Sequence, residues 1–298
     1  MTMPNAKPAK PTDAAGCLYV VATPIGNLED ITMRALRILK EADVIACEDT
    51  RQTLKLLSHF GVQKQLISYH EHNEIMRASE LIIELEQGAK VALVSDAGTP
   101  AISDPGHRLV SLALRHGIKV VPVPGASAFV AALAASGMPM DEFAFIGFLP
   151  SRQSERRKKL RVLAEEPRTL VIYEAPHRLL DSLEDALEIL GNRPAVIARE
   201  VTKVYEEFLR DHLEGLVERV RKKAPRGEIT IVIGMSDGEP VHHSETAEAG
   251  AIPLARRIDE IIKEKRVDKK AALKQAARER GLTKREAYKQ MLVTRDET

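Results

Sequence analysis

Several short runs in this 298-residue chain carry groups able to do chemistry, and each adjoins an apolar stretch. Lys90 to Val94 breaks into Ser95-Asp96-Ala97-Gly98-Thr99-Pro100, and Val44 to Cys47 ends in Glu48-Asp49-Thr50-Arg51. Thr23-Pro24-Ile25-Gly26-Asn27 and Pro124-Gly125-Ala126-Ser127 follow two further apolar runs. Glu174-Ala175-Pro176-His177-Arg178 and Arg199-Glu200-Val201-Thr202-Lys203 do the same later, and Arg226-Gly227-Glu228 precedes Ile229 to Ile233. A carboxylate such as Asp96 accepts hydrogen bonds from hydroxyl or ammonium groups. A glycine such as Gly98 lets backbone come close to a ligand. Asp104 offers a plainer reading, as a cap for the helix that follows.

What these loops lack narrows the chemistry. None has the G-x-G-x-x-G fingerprint or the P-loop lysine that cradle phosphates. There is no G-x-S-x-G elbow and no H-E-x-x-H, and no Cys/His cluster has zinc spacing, so no metal is expected. His70, His72, His107 and His177 fall at loops or helix starts, where surface or capping roles are commoner than catalysis. A cofactor without phosphates fits best. S-adenosylmethionine is one: it needs acceptors for its ribose and ammonium groups and an apolar slot for adenine.

The elements that must position these loops are short strands alternating with helices. Strands are expected at Leu18–Ala22, Val44–Cys47, Leu66–Tyr69, Lys90–Val94 and Lys119–Val123, with helices between them. The alternation implies an α/β fold of parallel units, whose carboxyl ends are where open sheets bind ligands. Gly137-Met138-Pro139 breaks the pattern. A second series follows, with strands at Phe143–Leu149, Thr169–Tyr173, Ala195–Ala198 and Ile229–Ile233, and with Tyr205–Leu209 read as an antiparallel strand. The expected organisation is a disordered tail over 1–15, α/β domains over 16–137 and 138–237, a linker over 238–250, and a helical module over 251–298. In that module Asp268 and Thr283 are natural N-caps, and Gly281 ends a helix.

Composition is that of a soluble globular protein, 44% hydrophobic and 29% charged. With no tryptophan and 4% aromatics, a base-stacking platform is excluded as the main device. Cys17 and Cys47 read as buried thiols of a reducing, cytoplasmic compartment. No apolar run reaches membrane-spanning length, and residues 1–15 lack the apolar core of a signal peptide. The net charge of +1 is unevenly placed, because residues 250–298 carry +6 and the remainder −5. Arg152, Arg156, Arg157, Lys158, Lys159 and Arg161 form a second basic cluster. Basic patches on an acidic body suit a polyanionic partner, with a solvated helix face as the alternative.

Five stretches together resemble the tetrapyrrole-methylase superfamily of S-adenosylmethionine-dependent methyltransferases. They are Val21 to Leu28, Ser95 to Pro100, Pro124 to Ala128, Tyr173 to Arg178 and Arg226 to Thr230. The Cys47-Glu48-Asp49-Thr50-Arg51 stretch narrows the resemblance to the ribosomal RNA small subunit methyltransferase I family. Ser95-Asp96-Ala97 replaces the Gly-Asp-Pro usual in members acting on small molecules, which favours the ribosomal branch.

The resemblance implies two α/β domains with a cleft between them and a homodimer. It also implies 2′-O-methylation of a cytidine ribose of 16S rRNA in the decoding region of the small ribosomal subunit. Pro24 and Gly26 would line the cleft. Ser95, Asp96, Gly98, Thr99 and Pro100 would hold the ribose and methionine portions of S-adenosyl-L-methionine. Ser127 and Ala128 would lie beside it, and Ala175, Glu228, Ile229 and Thr230 would close the cleft. A 2′-hydroxyl is a poor nucleophile, so a base should take its proton. Asp49, Glu174 and Glu200 are the candidates, with Arg51, Arg178 or Lys203 steering phosphates or the oxyanion. The alternative is structural ion pairing of Asp49 with Arg51 and Glu200 with Lys203. A small-molecule methyltransferase and a non-catalytic nucleic-acid-binding regulator are the rival functions.

Overall fold

The chain divides into two units, 1–237 and 238–298. The computed structural model describes residues 16–235, 258, 261–263 and 268–279. The expected tail, linker and final helix, with Gly281 and Thr283, lie outside the described residues.

The first unit opens with five strands: β1 (Cys17–Val21), β2 (Val44–Cys47), β3 (Gln65–Ser68), β4 (Lys90–Val94) and β5 (Lys119–Val123). They form one parallel sheet in the order β3-β2-β4-β1-β5. The intervening helices are α1 (Met33–Glu41), α2 (Thr50–His59), α3 (Glu74–Glu86) and α4 (His107–Arg115). They cover both faces, which explains why β2 is buried at every position. Helix starts follow local chemistry. The Thr32 hydroxyl accepts from Ala35 N at 3.0 Å, so Thr32 rather than Asp30 caps α1. The Asp49 carboxylate caps α2 through Arg51 N at 2.8 Å. Gly106, not Asp104, is the N-cap of α4.

A second sheet has the order β6-β7-β10-β8-β9. Its strands are β6 (Phe143–Phe148), β7 (Thr169–Glu174), β8 (Pro194–Arg199), β9 (Glu207–His212) and β10 (Ile229–Ile233). Unlike the first sheet it is mixed. Only β6 and β7 pair in parallel, while β10 runs antiparallel to both β7 and β8, and β9 antiparallel to β8. The antiparallel β9 agrees with the expectation for that strand, whereas the reversed β10 departs from parallel β/α units. β10 follows its helix into the middle of the sheet reversed, and β9 joins β8 without a helix between them. β9 also begins two residues later than Tyr205.

Helices α6 (Gln153–Ala164), α7 (Leu179–Leu190) and α8 (Leu213–Lys222) pack one face of this sheet through Leu160, Leu163, Leu183, Leu190, Leu216 and Val220. Each such side chain contributes about 1.5–3 kcal/mol by leaving water. On the other face, α5 (Ala128–Ala134) sets Ala132 and Leu133 against Val171, Val196 and Val232. The helix that leaves β5 of the first sheet thus completes the core of the second. Arg210 of β9 ties the same joint by donating to Ala135 O at 2.6 Å and Ser136 O at 3.3 Å.

In the second unit, Ile258, Ile261, Ala272, Leu273, Ala276 and Ala277 form a small core. α9 (Lys269–Glu279) is capped as expected, with Ala271 N donating to Asp268 Oδ1 at 2.7 Å.

Candidate active site

The strand order of the first sheet sets the site. The chain leaves β1 toward β2 and β3, returns to β4, and then crosses to β5, so a crevice opens above β1 and β4. The two loops there are stitched together. Thr23 N donates to Gly98 O at 2.8 Å and Gly98 N to Thr23 O at 3.1 Å. Gly98 makes this bridge at φ +83°, where a side chain would be strained.

The second sheet faces the same crevice. Ile229 of β10 pairs with Glu174 and with Arg199, the last residues of β7 and β8. Because β10 is reversed, its first residues lie beside the strand exits. That is why Arg226-Gly227-Glu228 precedes its strand while the other runs follow theirs.

Between the sheets lies a cavity of about 400 Å³, within the range of small-molecule sites. Asp96, Gly98, Thr99, Ser127 and Ala128 line it from the first half, and Ala175, Glu228, Ile229 and Thr230 from the second. A neighbouring pocket takes Pro24 and Gly26, with Gln52 and Lys55, and shares Ile25, Asp96, Ala97 and Glu228 with the cavity. Two expected residues support the wall from behind. Ser95 is buried, accepts from the Thr23 hydroxyl through its carbonyl and donates to Ala97 O, and Pro100 is buried too.

The lining suits a cation carrying an apolar ring. Among the described residues, Asp96, Asp104, Glu174 and Glu228 line the cavity and no lysine or arginine does, the Glu174 side chain being buried behind the wall. Ile25, Ile102, Phe148, Tyr173 and Val201 supply apolar surface. S-adenosylmethionine matches both features: its sulfonium and ammonium groups complement the carboxylates, and its adenine the apolar wall.

The sequence analysis missed those five apolar residues and Asp104. Phe148 reaches the site because β6 shifts register between Phe145 and Gly147, which pairs Phe148 with Tyr173. Their ring centroids stand 5.6 Å apart. A bulge of this kind leaves no local sequence signal beyond Gly147 itself.

The expected acid–base groups are present at the strand ends, each already engaged. Asp49 holds Arg51 in a bidentate pair at 3.0 and 2.7 Å. The Arg51 hydrogen bonds, side-chain first and then backbone, draw the Asp49 carboxyl down to about 2. Asp49 N donates to Asp96 Oδ1 at 3.0 Å, which fixes Asp96 at the mouth of the cavity. The Glu174 side chain is wholly buried. It accepts from Ser182 Oγ at 2.5 Å, Ala175 N at 2.8 Å and Arg178 Nη2 at 3.3 Å, and Arg178 Nε stands 3.1 Å away in an ion pair. Burial works to raise the Glu200 carboxyl, but the Glu228 N–H and the Lys203 ammonium outweigh it and lower it. Lys203 Nζ stands 3.0 Å from both Glu200 Oε1 and Glu228 Oε2. Its stem lies where a Cβ on Gly26 would be. Glu200 and Thr202 adopt positive φ, +48° and +70°, and the Thr202 hydroxyl accepts from Asn27 N at 3.1 Å. The β8 exit is thereby latched to the β1 exit.

The basic cluster divides by burial. Arg156 is buried against Asp185 at 2.7 Å, and Arg157 pairs with Asp185 and Glu188. Lys158, Lys159 and Arg161 remain exposed. Part of that cluster is therefore structural and part is free cationic surface.

The two-sheet fold around one cleft is that of the tetrapyrrole (corrin/porphyrin) methylases, a sequence model of which matches residues 17–217. Among solved structures, uroporphyrin-III C-methyltransferase from Thermus thermophilus complexed with S-adenosylhomocysteine superposes with a TM-score of 0.53 at 24% identity, over 74% of this chain and 97% of that one. Diphthine synthase does so with a TM-score of 0.58 at 17% identity, over 73% and 90%. These likenesses show the fold.

Sequence relatives are nearer. Ribosomal RNA small subunit methyltransferase I of Halalkalibacterium halodurans is 51% identical over 93% of this chain and 94% of that relative. The protein of the same name from Pseudomonas aeruginosa is 46% identical over 94% and 98%. The one from Thermotoga maritima is 50% identical over 98% of its own length but 73% of this chain. The chain belongs to the ribosomal RNA small subunit methyltransferase I family within the tetrapyrrole methylases.

Proposed function

We propose that this protein transfers a methyl group from S-adenosylmethionine to the 2′-hydroxyl of a cytidine ribose in the decoding region of 16S rRNA. The observation that carries the reading is the cavity at the crevice, acidic and partly apolar, joined to family membership among rRNA methyltransferases. The bound cofactor supplies a methyl group made electrophilic by its sulfonium. The protein's own part is placement. Asp96 and the Gly98–Thr99 backbone hold the donor, and the wall from Ala175 to Thr230 closes over it. Holding both reactants in line supplies on the order of 7–11 kcal/mol at best.

Asp49, Arg51, Glu174, Glu200 and Lys203 act, in this reading, by fixing the loops that shape the cavity. Ser95 and Pro100 do the same from behind it. Exposed Lys158, Lys159 and Arg161, together with the basic module over 251–298, grip the RNA backbone. The two-domain division at Gly137, a homodimer and a cytoplasmic location belong to the same proposal. Ile75, Met76 and Ile83 expose apolar surface on α3 that a second copy would cover, and sedimentation tests this. Among the described residues no helix is long and apolar enough to cross a membrane.

The test is incubation of small ribosomal subunits from a methylation-deficient strain with the protein and methyl-labelled S-adenosylmethionine. Label in a cytidine ribose is the expected result. Label in a tetrapyrrole instead, or cofactor binding with no transfer, refutes the proposal. Removing residues 250–298 should weaken RNA binding and flatten its salt dependence while sparing cofactor affinity, since fewer phosphates are neutralised. An unchanged salt slope would remove the module from the RNA interface.

A further inference from the structure

The three carboxylates expected to act as base are each engaged: Asp49 by Arg51, Glu174 by Ser182, Ala175 N and Arg178, and Glu200, through Oε1, by the Lys203 ammonium and Glu228 N. A fourth carboxylate in the cavity wall differs from all three. Asp104 has no cation within ion-pair distance among the described residues, and it does not cap α4. It is half-buried, and it lines the cofactor cavity together with Ser103 and Ile102.

Asp104 also lines a second cavity of about 370 Å³, whose other walls include Glu71, Glu74, His107, Arg108, Ser111 and Arg115. Among the described residues it alone lines both. The backbone that delivers it is strained. Ala101 and Ser103 stand at φ +68° and +62° without being glycine. The second sheet props the turn, with Ser103 Oγ 3.1 Å from where a Cβ on Gly147 would be. Non-glycine residues held this way cluster at functional sites.

We propose that Asp104 is the general base that takes the proton of the acceptor hydroxyl, a role that rests on the ribose-methylation reading above. The hydroxyl O–H bond breaks and its proton passes to an Asp104 carboxylate oxygen. The oxygen's electron pair forms the bond to the methyl carbon as the carbon–sulfur bond breaks, and that pair stays on sulfur. Asp104 then releases the proton to solvent through the second cavity. Burial pushes the Asp104 carboxyl up, and the charges of Asp96 and Glu228 push it further, against the Ser95 hydroxyl. A raised carboxyl is a better proton acceptor for an alcohol. The groups facing it are Glu48 after β2, Asp96 after β4, Tyr173 on β7 and Glu228 before β10, with Glu71, Glu74, His107, Arg108 and Arg115 around the second cavity.

The full-length protein, Asp104→Asn and Asp104→Glu are compared on small subunits. Label transfer is followed against pH, and calorimetry measures affinity for S-adenosylmethionine and S-adenosylhomocysteine. Asp104→Asn should lose about 10²- to 10⁴-fold in transfer rate at saturating S-adenosylmethionine, far more than any loss of affinity for either ligand explains. Wild-type transfer should fall as pH drops through a value above the ordinary carboxylate range. That limb should vanish in Asp104→Asn and persist in Asp104→Glu, which keeps a carboxylate. Transfer by Asp104→Asn within a few-fold of wild type overturns the assignment. So does a loss of cofactor affinity that accounts for the lost rate, which would make Asp104 a binding group. If wild-type protein labels no ribose, it is the functional reading that falls, and the two failures are told apart.

Discussion

In the first sheet every loop that reaches the cavity leaves the end of a strand, whereas in the second the Arg226–Glu228 loop arrives at the start of β10. The ion pairs differ in the same way. Arg51, which holds Asp49, is largely in solvent, with 86% of its side chain exposed, whereas Glu174 is 0% exposed beneath Arg178. The parallel sheet shapes its rim with solvated loops that water can also satisfy. The mixed sheet holds its rim from within, through a buried carboxylate whose every partner is protein. Equivalent changes on the two sides should therefore have unequal effects.

The largest difference is expected at Arg178. Arg178→Ala removes the charge beside wholly buried Glu174, and an uncompensated buried carboxylate costs about 3–5 kcal/mol. Urea unfolding should show a clear drop in midpoint, and a midpoint within error of wild type would erase the contrast between the sheets. Next comes Asp96→Ala on the first sheet, which should weaken S-adenosylmethionine about tenfold, some 1.4 kcal/mol, with little change in the unfolding midpoint. Unaltered calorimetric affinity would take Asp96 out of the cofactor wall.

The smallest effect belongs to Asp49→Asn. Arg51 holds the Asp49 carboxyl at about 2 in the folded protein, below its ordinary value of 3.8. Protons therefore favour the unfolded chain, and the stability Asp49 adds is present above the unfolded value. It is lost as pH falls through the folded one. Urea midpoints of wild type and Asp49→Asn should differ slightly near neutrality and converge as the pH falls from about 4 toward about 2. A gap that widened with acid would contradict the pairing.

Most of the architecture could be read directly. Apolar runs flanked by helical spacing placed all ten strands of the two sheets, because burial on both faces leaves a continuous hydrophobic signature. Asp268 was legible as a cap for the same local reason, whereas the capping of α2 by Asp49 was not foreseen. The reversal of β10 was not legible. Its sequence, Ile-Thr-Ile-Val-Ile, is β-branched throughout and carries no mark of direction, which is set by the neighbours it meets.

At the site, the loops carrying Asp96, Gly98, Ser127, Ala175 and Glu228 could be named in advance, since small and polar residues beside a strand depend on short-range order alone. Whether a carboxylate there is free or committed could not. Local spacing offered the pairs Asp49–Arg51 and Glu200–Lys203 only as an alternative to catalysis, and packing alone puts Ser182 on Glu174 and, among the described residues, no cation within ion-pair distance of Asp104. The sequence by itself determined the secondary structure, the loops that meet at the cavity and the family, because those are written in periodicity and contiguous motifs. Tertiary structure alone decided strand direction, the β6 bulge that brings Phe148 to Tyr173, and the company each charge keeps. Those depend on residues far apart in the chain meeting in space.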